Sequence, residues 1–203
     1  MKFSATTLAC LAGLAATAYS HPVTDVLEKR LETLDDDTFR TALKTFWTDL
    51  DVARQAVHKY DPEDYFSQYE YPDAAWNTTE NLGKSTKEVE NSKALSMAGV
   101  VDILLLYRDI GNVSKTLLEE IIARKPPIEA ISKCGVSRAY TQTIWVASAA
   151  FARAIAGNCD PKAKEIIFAY AEFHWENLQS ILTELERPKC NNANGRSSSQ
   201  ADL

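Results

Sequence analysis

The sequence predicts an all-α protein, an antiparallel bundle of four to five helices. Three observations carry this. Apolar residues recur at spacings of three and four along most of the chain. Glycine and proline number 7 each in 203 residues, fewer than the many turns of a sandwich or barrel need. The prolines and glycines that occur tend to fall where the periodic stretches stop. The length fits one domain with a substantial core of its own.

The first twenty residues read as a secretory signal peptide. Lys2 precedes an apolar run from Phe3 to Ala18, and Ala18 and Ser20 flank Tyr19 in cleavage geometry, with the cut after Ser20. The run is shorter than the roughly 20 residues that span a bilayer. Asp102, Arg108 and Asp109 interrupt the most apolar later stretch, Val100 to Tyr107, so no transmembrane segment is expected. The tail from Asn191 to Leu203 is polar, with no hydrophobic signal for a lipid anchor, and is expected to be disordered. The expectation is a secreted protein with a single helical domain over residues 21–190. Lys29-Arg30 is either a processing site or part of a solvated helix face, and the solvated face is the simpler reading.

Val26, Leu27, Leu31 and Leu34 open the helical pattern. It continues after the acidic run 35–37 with Phe39, Leu43, Phe46, Trp47, Leu50 and Val57. The aspartates suit either a fresh helix start, where negative charge complements the dipole, or the wet side of one long helix. Residues 60–76 differ. Asp61-Pro62 breaks the pattern, and Tyr60, Tyr65, Phe66, Tyr69, Tyr71 and Trp76 crowd among acids. This stretch is expected to be a long aromatic connection folded over the body. Helical pattern resumes near Thr79 and runs to about Lys125, apolar nearly all round between Val100 and Tyr107, with Gly111 a candidate kink and Pro126-Pro127 as the stop. A helix rich in small residues follows from about Val136 to Ala156, closed by Gly157. Asp160-Pro161 is a cap followed by proline at the first helical position. The last helix, carrying Ile166, Tyr170, Phe173, Leu178 and Leu185, stops before Pro188.

With Cys10 in the signal peptide, Cys134, Cys159 and Cys190 remain, an odd number for an oxidising compartment. Cys134 and Cys159 flank one helix and would lie roughly 35 Å apart at 1.5 Å per residue, beyond disulfide reach. The same argument separates Cys159 from Cys190. In an antiparallel hairpin the start of one helix lies beside the end of the next, so the expected bond is Cys134–Cys190, leaving Cys159 free or bonded to another chain. The cysteines are not in short pairs and the three histidines are scattered, so no metal site is expected. Asn77-Thr78-Thr79 and Asn112-Val113-Ser114 are glycosylation sequons, at Asn77 in the expected connection and at Asn112 on a helix.

The formal net charge of -6 argues against a nucleic-acid partner, which needs a dense basic face. No His-Glu-x-x-His spacing, Gly-rich phosphate loop or nucleophile elbow occurs. His174 beside Trp175 reads as a packed or half-exposed residue rather than a catalyst. The 28 acidic residues make carboxylate pairs commonplace, so no residue stands out as catalytic and no cofactor is implied. A bundle with wide apolar faces can open a cavity between its helices or lay those faces on a hydrophobic surface. The candidate lining residues are Ile103, Leu106, Tyr107, Ile110, Ile144, Phe151, Ile166, Tyr170 and Phe173. From pattern alone the simpler account is that they are ordinary core.

The stretch Leu117 to Leu185 shifts that balance. A helix ends in Arg124-Lys125, prolines and Ile128 follow, Gly135-Val136 precede a helix carrying Ile144 and Phe151, and Pro161 opens a last helix. This arrangement resembles the fungal hydrophobic surface-binding protein A family, also called cell wall galactomannoproteins. The resemblance implies an exported, non-catalytic helical bundle at the cell wall or in the medium. Its partner would be a fatty acid, another apolar ligand or a hydrophobic surface. The Tyr-rich stretch 60–76, the three mature cysteines and the lack of a long Ser/Thr-rich tail depart from that family. The alternative is a secreted effector or antigen contacting a host or neighbour molecule through 60–76.

Overall fold

The computed structural model describes residues 36–65 and 67–193, which lie in a single compact unit, Asp35–Leu203. The expected signal peptide, the Lys29-Arg30 pair and the tail from 194 onward lie outside the described residues.

Among the described residues five helices follow one another: α1 (Asp36–His58), α2 (Ser67–Glu90), α3 (Met97–Ala130), α4 (Cys134–Gly157) and α5 (Pro161–Glu184). Successive helices run antiparallel, as expected, but the packing order is not the chain order. In cross-section the helices form a ring, α1–α3–α5–α4–α2 and back to α1. Three of its five contacts therefore join helices that point the same way. Along α1 and α3, Arg40 pairs with Asp102 at 2.8 Å near the two starts, and Arg124 donates to the His58 carbonyl at 2.7 Å near the two ends. Asn177 donates to Ser114 at 3.0 Å and Lys125 meets Glu184 at 2.8 Å between α3 and α5. The Tyr71 and Thr141 hydroxyls are 2.7 Å apart and Asn158 donates to the Val89 carbonyl at 2.7 Å between α2 and α4.

Local chemistry explains the helix starts. Asp160 accepts from the Lys162 amide at 2.8 Å and Pro161 occupies the first turn, as the sequence predicts. In the described part of α1, which opens with Asp36 and Asp37, Asp37 pairs with Arg40 at 2.9 Å. The Asp36 carboxylate also accepts from the Ser96 amide at 2.9 Å, while the Ser96 hydroxyl caps α3 through the Gly99 amide. A side chain at Gly99 would collide with Asp36, since a Cβ there would lie 2.5 Å from its carboxyl carbon. Glycine is what lets α1 and α3 meet at this end.

Three expectations are corrected. Residues 60–76 are not one long connection: α2 begins at Ser67 and runs through Pro72, and only 59–66 link the helices. Burial of Tyr71, Ala74 and Ala75 against the core outweighs the one backbone bond that Pro72 removes. The stretch 79–125 is not one helix either, because the chain reverses between Glu90 and Met97. Pro126-Pro127 do not end α3, which continues to Ala130 and buries Ile128. The helix likewise passes through Gly111 unbroken; there a Cβ would lie 2.4 Å from the Phe173 ring, so glycine makes room for α5 to cross.

The Cys134–Cys190 disulfide is formed, with the Cα atoms 5.9 Å apart, and Cys159 is free and buried. Beyond Cys190 the chain is still held. Asn191 donates to the Glu129 carboxylate at 2.8 Å, Asn192 accepts from the Cys134 amide at 3.2 Å, and Ala193 donates to the Glu129 carbonyl at 3.0 Å. Glu129 lies close to both sulfurs, but these are bonded to each other.

Candidate ligand site inside the helix ring

A ring of five helices has an axis, and aromatic side chains fill it here. Phe46 of α1 meets Phe151 of α4 edge-on, ring centres 6.3 Å apart, and meets His174 of α5 edge-on at 5.2 Å. Neither α4 nor α5 neighbours α1 in the ring, so these three side chains meet across its middle. His174 is 2 % exposed and both its ring nitrogens lack a hydrogen-bond partner. Burial pulls its pKa down to about 3, so the imidazole is neutral. The Tyr107 hydroxyl on α3 is buried and unpartnered as well, and burial pushes its pKa far up. Asn177 close by is satisfied, donating to the Gly111 carbonyl and Ser114.

The structure gathers most of the expected lining residues into one core. Ile103, Tyr107, Ile110, Ile144 and Phe151 are buried in it, and Leu106, Ile166 and Tyr170 pack on its margin. Phe173 is 40 % exposed and lies over Gly111, away from the axis. On α5 the residues facing inward are Ala163, Ile167, Ala171, His174 and Leu178, one position round from Ile166, Tyr170 and Phe173. Phe46 and His174 are axial residues that the lining set lacks. Phe46 belonged to the apolar stripe of α1, whereas a polar histidine at an inward position gave no apolar signal.

At the disulfide end the ring keeps a small pocket. It is bounded by the end of α1 (Val57, with Tyr60 beyond it), the start of α2 (Gln68, Tyr71, Pro72), the end of α3 (Ile121, Ile128) and the start of α4 (Lys133, Val136, Ser137). Its volume is about 20 Å³, space for about one water molecule. The Tyr60 hydroxyl is buried without a partner, and burial together with the nearby Asp61 charge raises its pKa. The Lys133 ammonium stands 5.2 Å over the Tyr69 ring.

The chain matches the hydrophobic surface binding protein A family over residues 37–157, more than half its length. It belongs to that family. No curated protein matches it. Among solved structures it is similar to AFMP4P in complex with palmitic acid, at 16 % identity and TM-score 0.69, covering 75 % of this chain and 100 % of that one. It is also similar to ligand binding domain 1 of the Penicillium marneffei MP1 protein, complexed with arachidonic acids. There the identity is 11 % and the TM-score 0.69, over 75 % and 99 % of the two chains. Ligand binding domain 2 of the same MP1 protein follows at 10 % and 0.67, over 75 % and 97 %. At these identities the likeness is one of fold. Among the described residues of this family member no helix is long and apolar enough to cross a membrane.

Proposed function

We propose that this protein is a secreted, non-catalytic carrier of fatty acids or similar apolar ligands, which it holds along the axis of its five-helix ring. The observation that carries the reading is the axial meeting of Phe46, Phe151 and His174, contributed by helices that are not all neighbours. Membership of a family named for hydrophobic surface binding, and neighbours of the same fold seen with palmitic and arachidonic acids, support it. The ring as it stands is closed, because a ligand of that size needs a cavity of roughly 300 Å³ or more. Entry therefore spreads the helices. An acyl chain of about 15 carbons gains roughly 12 kcal/mol on leaving water, at about 0.8 kcal/mol per methylene, which offsets the lost contacts. The lining residues proposed for the open ring are Ile103, Leu106, Tyr107, Ile110, Ile144 and Phe151 with Phe46 and His174, while Ile166, Tyr170 and Phe173 stand at its margin.

The Cys134–Cys190 bond suits export into an oxidising compartment, to which the signal peptide over residues 1–20 would direct the chain, with the cell wall or the medium as destination. Asn77 and Asn112 are both exposed and are proposed as glycosylation sites. The test is native mass spectrometry of delipidated protein with palmitic acid. A mass increase of one or more acids, with a raised Tm, is expected. Absence of any bound acid, together with failure to adsorb to a hydrophobic surface, refutes the reading. Exposed Tyr65, Tyr69 and Trp76 favour a second role as a contact surface for another molecule. Substituting these three with Ser tests that role without cutting α2.

A further inference from the structure

The geometry points to Tyr60 and Lys133, at the disulfide end of the ring, as the receptor for the carboxylate of a long-chain acid whose tail runs into the axis. This rests on the carrier reading above and deepens it: the protein selects ionised acids over neutral lipids. The pocket there touches four of the five helices, so it opens into the ring's interior rather than onto one groove. Its walls are apolar, with Val57, Ile121, Ile128 and Val136 among them. Of its polar lining residues, Gln68, Tyr71, Ser137, Tyr60 and Lys133, the last two stand out. The Tyr60 hydroxyl is buried, with the residue 8 % exposed, and has no hydrogen-bond partner. Leaving a hydroxyl so costs about 1–3 kcal/mol unless something arrives to accept its proton. The second group is the Lys133 ammonium. Among the described residues it has no carboxylate partner and is held by the face of Tyr69. An ammonium and an unpaired phenol on two residues that line one apolar pocket are complementary to one group on a greasy chain, a carboxylate.

Two carboxylates lie near, and the Asp61 charge opposes an anion beside Tyr60, so the Lys133 ammonium has to outweigh it. Asp61 turns to its own loop, where it accepts from the Glu63 amide at 2.9 Å. Glu129, one turn before Lys133, accepts from the Asn191 amide. Lys133 immediately precedes Cys134, so the disulfide to Cys190 holds the backbone that carries the ammonium. The axial His174 is the competing receptor, but it is neutral and far from solvent, where a carboxylate would lose its hydration with no cation to replace it.

The experiment measures equilibrium binding of palmitic acid and of its methyl ester to the full mature chain at pH 7.5. Wild type is expected to bind the acid about tenfold or more tightly than the ester. Lys133→Met removes that preference, Lys133→Arg keeps it, and Tyr60→Phe lowers the acid-to-ester ratio several-fold. If Lys133→Met binds the acid with an undiminished acid-to-ester ratio, the receptor is not here and this inference fails while the carrier reading stands. If wild type binds neither compound, the carrier reading itself fails, and this one with it. A helical circular dichroism spectrum and a Tm matching wild type show that the ring of each variant remains folded.

Discussion

The axial histidine makes stability depend on pH in a way that can be worked out beforehand. In the unfolded chain His174 takes up a proton near its ordinary value of 6.5, whereas burial between apolar rings keeps the folded residue neutral down to about 3. Between those values the unfolded state binds one more proton than the native state, so stability falls as pH falls. Each pH unit in that window is worth about 1.4 kcal/mol. From pH 7.5 to 4.5 the loss attributable to this residue is therefore about 3 kcal/mol. Glu184, held down to about 2 by hydrogen bonds from Lys125 and Lys189, adds its own loss only below its unfolded value of 4.5. Urea unfolding of wild type and His174→Phe across this range isolates the effect, because groups common to both cancel. The wild-type curve is expected to drop by about 3 kcal/mol more than the variant's. Parallel curves would show that the folded histidine is hydrated or paired, and the picture of a dry axis would be wrong.

Three further outcomes follow from the packing. Replacing Cys134 and Cys190 with Ser releases a crosslink spanning 56 residues and should cost about 4 kcal/mol of loop-closure entropy, read as a fall in the urea midpoint. Gly99→Ala drives a methyl group into Asp36 and should destabilise by about 1–2 kcal/mol, whereas Gly83→Ala, with nothing within 4 Å, should stabilise by up to about 1 kcal/mol. Equal effects in thermal melts would remove the argument for close approach at Gly99. Cys159, its thiol pushed up to about 11 mainly by burial and its Sγ 3.0 Å from the Ile155 carbonyl, should resist iodoacetamide at pH 7.5 in the native protein. It should label fully in denaturant, as mapped by peptide mass.

Much of the fold could be read from residues because its signals are local. Apolar spacing placed α1, α4 and α5, Asp160-Pro161 marked a helix start, and helix length alone selected the disulfide pair. What escaped was set by contacts. Pro72, Pro126 and Pro127 look like stops, yet each lies in a helix whose buried neighbours hold it. The reversal at 91–96 was hidden because polar residues there resemble the wet side of a helix. Ser96, with Gly99 three residues on, was the signal available, and a helix of about 47 residues would have stretched roughly 70 Å. The ring order could not be read at all, since a period of 3.6 says which face is buried and nothing about which helix covers it. For the site, counting apolar bulk favoured Ile166, Tyr170 and Phe173. Close approach instead turned small Ala163 and Ala171, with His174, to the inside.

The ring order also bears on how the molecule is made. Its last segment, α5, is the piece that joins α3 to α4, so a chain emerging N-terminus first is an open arc until that segment arrives. Cys190 comes after it, so its thiol meets Cys134 only once α5 has folded back along α4. Oxidation of this pair thus works as a clasp that fastens the last helix to the one before it.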